Sequence, residues 1–164
     1  MVFSKPRIYI ETTLFNYCYL NDPDRKEEIF ITRDLFDKIK KGFFEPYTSD
    51  IVIAELDRCT DIEMKQRMLG LIMEFDIIRL TAEDYKGYEE LGEKYILGGA
   101  IPRQKRDDAL HIACATLSQM DILVSWNCDH IVRYKTQQIV RAINLIEGVN
   151  DISINTPQEV INFE

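Results

Sequence analysis

Five oxygen-bearing side chains stand where chemistry is expected: Glu11 after the first apolar run, Glu55 after the second, Asp108 ahead of Ala109, and Asn127 and Asp129 after the run at 121–125. Carboxylates gathered without lysine or arginine in the same short motifs repel one another. Hard divalent cations such as Mg²⁺ or Mn²⁺ relieve that repulsion through oxygen ligands. An ion held in this way activates a water, neutralises a phosphate and stabilises a leaving oxygen, which is the chemistry of phosphodiester hydrolysis. Taken singly, each acid reads more readily as a helix cap or a solvated surface group. Only convergence would make them a site, so the elements that carry them decide the matter.

The run RIYIE at 7–11 is a short strand with Glu11 at its end, and TTLFNYCYL at 12–20 turns into a helix capped by Thr12 or Thr13. Apolar residues at helical spacing from Asp24 to Lys41 predict an amphipathic helix that Gly42 stops. Phe43 to Ser49 reads as a strand interrupted by Pro46, and Ser49 or Asp50 caps the helix that carries Glu55. A helix from Asp61 to Glu74 leads to a strand at 76–80, and TAED at 81–84 is a capping pattern for a helix reaching Tyr95. Leu97 to Arg106 is a loop, after which DDALHIACATLSQM is apolar almost all round, as a helix buried on every side must be. A buried strand at 121–125, a polar loop WNCDH, a helix from Thr136 to Glu147 with Ile139, Val140, Ile143 and Ile146 inward, a strand DISIN and a helix opened by Thr156 and Pro157 complete the chain. Strands alternating with helices predict a three-layer α/β/α sandwich on a mainly parallel sheet, whose ligands gather outside the carboxyl ends of the strands.

Composition sets the outer limits. The 164 residues are 46% hydrophobic and 29% charged, which suits one domain spanning 1–164 and excludes disordered and collagenous classes. No apolar run has the length of a membrane span, and the N-terminus lacks a signal-peptide core, so a soluble cytoplasmic protein with no membrane partner is expected. Cys18, Cys59, Cys114 and Cys128 are widely spaced, which fits free thiols in a reducing compartment. Lysine and arginine total 20 against 28 acids, a net charge of −8. That balance disfavours general electrostatic attraction to nucleic acid, so a polyanionic substrate needs local basic groups or bound cations.

IYIETTLFNY, SDIVIAEL, DDALHIACAT, DILVSWNCDHI and INTPQEVI, taken in order, resemble the PIN-domain ribonucleases, including the VapC-like toxins of type II toxin–antitoxin pairs. The likeness spans nearly the whole chain. It implies a PIN-like fold and metal-dependent endoribonuclease activity on single-stranded or looped RNA, leaving a 5′-phosphate and a 3′-hydroxyl. It also implies Mg²⁺ or Mn²⁺ as cofactor, a small antitoxin protein as partner and a homodimer. Carried over by position, Glu11, Glu55, Asp108 and Asp129 are the catalytic acids, and Glu11, Asp108, Asn127 and Asp129 are metal ligands. Thr12 is the hydroxyl beside the first acid that positions water or phosphate. Two positions depart from the family: Glu11 stands where Asp is usual, and Asn127 replaces an acid, keeping an oxygen but removing a charge.

Other residues divide between function and architecture. His111 is either a proton carrier one helical turn from Asp108 or a packed histidine bonded to a neighbour. Asp107 is a reserve ligand or a helix cap, and Trp126 stacks on a base or packs in the core. Arg103, Lys105 and Arg106 form the local basic patch for an RNA backbone, or a solvated loop. The main rival to a nuclease is a catalytically inactive PIN-fold module that binds RNA or protein, which Asn127 favours. A receiver-like phosphorelay domain lacks its paired early acids and its late lysine.

Overall fold

β1 (Arg7–Ile10) buries alternate residues on opposite sides, Tyr9 on one face and Ile8 and Ile10 on the other, as a central parallel strand covered on both faces must. It is the middle of a five-stranded sheet in a computed structural model that describes residues 4–162. The other strands are β2 (Glu45–Ser49), β3 (Ile78–Leu80), β4 (Ile122–Val124) and β5 (Ser153–Asn155). Their order is β3-β2-β1-β4-β5 and every pairing is parallel. The architecture is therefore the three-layer α/β/α sandwich that the pattern predicts.

The helices are α1 (Thr12–Tyr19), α2 (Lys26–Lys40), α3 (Asp50–Asp57), α4 (Ile62–Glu74), α5 (Tyr85–Leu97), α6 (Arg106–Leu117), α7 (Tyr134–Glu147) and α8 (Pro157–Ile161). One core lies between the sheet and α5, α6 and α7, built on Tyr9, Leu91, Tyr95, Ile112 and Leu123. The other lies on the opposite face with α1, α2, α4 and α8, built on Ile8, Phe15, Leu35, Phe36 and Val124. α6 is buried at every position from Ala109 to Thr116, as its all-round apolar sequence requires. Among the described residues no helix is long and apolar enough to cross a membrane.

Several boundaries differ from expectation for identifiable reasons. β1 ends at Ile10, and Glu11 rather than Thr12 or Thr13 is the N-cap of α1, its carboxylate accepting the Thr13 N–H. Pro46 sits inside the sheet without disrupting it. Glu45 N–H points to the Pro6 carbonyl on the β1 side, so alternation turns the missing Pro46 N–H toward β3, whose pairing starts only at Tyr47. Thr81 makes no side-chain cap; the Ala82 N–H goes to Asp50 instead. α6 begins at Arg106 after a 3₁₀ turn, which puts Asp107 and Asp108 inside its first turn and rules out Asp107 as its cap. Ile146 is 81% exposed although the α7 periodicity predicts it inward; Asn144 takes a buried place on that helix. The predicted caps Ser49 and Thr156 are present, Thr156 forming a full capping box with Glu159, and Asp61, expected as the first residue of its helix, is the N-cap of α4.

Candidate functional site

The strand order reverses at β1: the chain builds outward to β2 and β3, then returns to place β4 on the other side. Such a switch point opens a crevice beyond the carboxyl ends of the strands. Here the crevice is a cleft of about 380 Å³ whose lining includes Glu11, Thr12, Glu55, Asp108 and Asn127. Three of the four predicted acids thus meet, one from the end of β1, one from α3 and one from the first turn of α6. No lysine or arginine lines the cleft, among the described residues.

Each of these acids is tied to the protein by a single oxygen. Glu11 Oε2 accepts the Thr13 N–H at 3.2 Å, the Thr13 hydroxyl at 2.6 Å and the Ser125 hydroxyl at 2.7 Å. Glu55 Oε1 accepts from His111 Nε2. Asp108 Oδ2 accepts from Asn127 Nδ2 at 3.2 Å. Among the described residues, the other oxygen of each carboxylate has no side-chain or backbone partner. The arrangement fixes three carboxylates and leaves each with an oxygen to offer.

Burial raises the Glu11 carboxyl above the usual carboxylate range, against the pull of His111 and its hydroxyl donors. Asp108 is raised for the same first reason, with His111, His130 and the Asn127 amide opposing. His111 is also raised: burial pushes it down, but its hydrogen bond to Glu55 and the charges of Glu55, Glu11 and Asp108 outweigh that. A neutral or metal-bound state suits both acids better than a bare pair of charges.

The donor set fits a hard divalent cation. It is made of carboxylate and hydroxyl oxygens, and among the described residues Thr12 Oγ1 is buried in the cleft wall with no hydrogen-bond partner. Among the described residues, no three His, Cys, Asp or Glu side chains stand ready to close around one ion. Glu11 and Asp108 would therefore hold it with water filling the remaining positions, the habit of Mg²⁺. When bound, such an ion supplies charge neutralisation and an acidic water.

Several expected roles are altered here. Asp129 is exposed and outside the cleft lining; of its loop, only Asn127 faces the acids. Asn127 is held as a hydrogen-bond donor rather than a ligand: its Oδ1 accepts the His130 N–H at 3.1 Å while its Nδ2 donates to Asp108. Asp107 pairs with Arg58 at 2.8 Å, bridging α6 to α3. Of the basic run, Arg103 is tied to Glu93 and Arg106 to Glu89, both on α5, while Lys105 is exposed and makes no ion pair among the described residues. Trp126 is a packing residue, stacked on Tyr17 with its indole N–H donated to Thr32.

Sequence reasoning missed Thr13 and Ser125, the hydroxyls that hold Glu11, and His130, whose backbone N–H fixes the amide of Asn127. Their signal was present in part: Thr13 and Ser125 follow the ends of two strands that are neighbours in the sheet. All four cysteines are free, as their spacing predicts. No protein-family model matches the chain, and no curated protein matches it.

Proposed function

We propose that this chain is a Mg²⁺- or Mn²⁺-dependent endoribonuclease of the PIN type, hydrolysing RNA phosphodiesters to a 5′-phosphate and a 3′-hydroxyl. The observation that carries the reading is the convergence of Glu11, Glu55 and Asp108 at the switch point of a parallel sheet, each with an oxygen that has no partner among the described residues. Glu11 and Asp108 hold the cation, Glu55 accepts a proton from water, and Thr12 offers a hydroxyl to phosphate or water. Lys105 supplies the free cationic group beside α6 for the RNA backbone. The sequence resemblance extends the proposal to a cytoplasmic toxin that works as a homodimer and is silenced by a small antitoxin.

The test is cleavage of mixed single-stranded RNAs by purified protein with Mn²⁺ and with EDTA. Cutting that requires the metal and vanishes in Asp108→Asn supports the proposal, and undiminished cutting in EDTA would falsify it. One observation favours a second reading, a PIN-fold binding module without catalysis: Asn127 adds no negative charge where the family has an acid. RNA binding without turnover in any divalent metal would establish that alternative.

A further inference from the structure

His111 is fully buried in the middle of α6, where the neighbouring positions are apolar and an aliphatic residue would pack without desolvating an imidazole. Both of its ring nitrogens are engaged. Nε2–H donates to Glu55 Oε1, and Nδ1 shares a 2.7 Å hydrogen bond with the Tyr9 hydroxyl. Tyr9 Oη lies 2.6 Å from Ser49 Oγ, which accepts the Ile51 N–H at 3.2 Å. Tyr9, Ser49 and His111 are each no more than 1% exposed. The contacts run from the first turn of α3 through β2, β1 and α6 and return to α3 at Glu55, closing a ring of four rigid elements. A buried histidine needs partners, which accounts for Tyr9. It does not account for the second partner being an acid of the cleft.

We infer that His111, backed by Tyr9, is the positioning residue for Glu55: it clamps Oε1 and so directs Oε2 into the cleft. The chemical role given to Oε2 rests on the nuclease reading; the clamp does not. In that reaction the oxygen of a water bonds to phosphorus as the bond from phosphorus to the 3′ oxygen breaks. Glu55 Oε2 takes one proton of the water, and the leaving 3′ oxygen takes a proton from solvent. A carboxylate free to rotate on the exposed side of α3 would present this oxygen only part of the time, and misplacement of a reacting group by about 1 Å costs on the order of a hundredfold in rate.

The experiment joins a spectroscopic measurement to a kinetic one. In metal-free protein labelled with ¹⁵N-histidine, the His111 Nε2–H proton should resonate far downfield and exchange slowly. Glu55→Gln should move it strongly, and Tyr9→Phe should weaken it while keeping the tyrosine ring in place. With Mn²⁺ and RNA, Tyr9→Phe should lower kcat about tenfold with KM within twofold, whereas Tyr95→Phe, which deletes another buried hydroxyl of the same core, should leave both unchanged. His111→Gln, retaining one donor, should recover part of the activity that His111→Ala loses. A His111 signal indifferent to Glu55→Gln would overturn the clamp whether or not the protein cuts RNA. A tenfold loss in Tyr9→Phe matched by Tyr95→Phe would overturn it as well. If the wild type cuts no RNA, the nuclease reading fails and the spectrum alone judges the clamp.

Discussion

Asn127 Nδ2 donates to Asp108 Oδ2 across the cleft, and the same amide accepts the His130 N–H through its oxygen, so its orientation is fixed at both ends. A neutral donor therefore stands beside the half-buried acid Asp108. Asn127→Asp should replace a hydrogen bond with like-charge repulsion. The variant is expected to bind Mn²⁺ several-fold more tightly and to melt a few degrees lower without metal. Calorimetric titration and a melting curve check both directions, and weaker Mn²⁺ binding would show that the amide is itself a ligand.

The acids and His111 make a joint prediction about pH. Folding raises the affinity of Glu11, Asp108 and His111 for protons, so their contributions are fully present below the unfolded values and are lost as pH rises through the folded ones. All three have the same sign. The metal-free protein should gain stability as pH falls from 8 through the ordinary histidine range toward the ordinary carboxylate range, and Mn²⁺ should flatten that slope. Melting temperatures across this window, with and without metal, provide the check; a metal-free protein most stable at pH 8 would contradict it.

Two thiols predict the alkaline limb. Burial pushes Cys18 up to about 12 and Cys114 up to about 11, so both stay protonated in the fold and ionise on unfolding near their ordinary range. Each contribution holds below about pH 8.5 and then falls by about 1.4 kcal/mol per pH unit until the folded value is reached. At pH 8 a disulfide reagent should titrate exposed Cys128 rapidly, whereas Cys18 and Cys114 should react only in denaturant. Four equally fast thiols in native protein would contradict the buried assignment.

The basic loop is narrower than its sequence suggests. Arg103 and Arg106 already have glutamate partners on α5, which leaves Lys105 as the cation of this loop without an ion pair among the described residues. Lys105→Ala should flatten the logarithmic salt dependence of the apparent KM for RNA by about 0.7, the value of one single-strand phosphate contact. Arg103→Ala should change it less. Equal effects would mean that RNA displaces the glutamates.

The parallel sheet, two caps and the positions of three acids were legible because they follow local rules: strands alternating with helices, Ser49 and Thr156 as caps, and the apolar run of α6. What lay beyond them depends on tertiary contact. Glu11 is a cap because Thr13 and Ser125 close on it, and the periodicity of α7 cannot reveal that Asn144 finds Tyr95 Oη inside while Ile146 faces solvent. Asp129 shares a loop with Asn127, but the turn directs only Asn127 inward. Ile146→Ser should therefore change stability by no more than about 0.5 kcal/mol. Ile112→Ala in α6 should cost roughly 2–5 kcal/mol in a denaturant titration.

The most direct measurement of the central claim, that these acids form one divalent-cation site, is the melting temperature of wild type and Asp108→Asn in chelated buffer and in excess Mn²⁺. Binding to the folded state alone stabilises it by about 2.7 kcal/mol at a hundredfold excess over Kd. The melting temperature should rise by several degrees for wild type in Mn²⁺ and little or not at all for Asp108→Asn, and chelated Asp108→Asn should be at least as stable as wild type, because the substitution removes a half-buried charge that the fold disfavours. A wild type unmoved by Mn²⁺, together with a chelated variant several degrees less stable, would make Asp108 a structural residue and contradict the site.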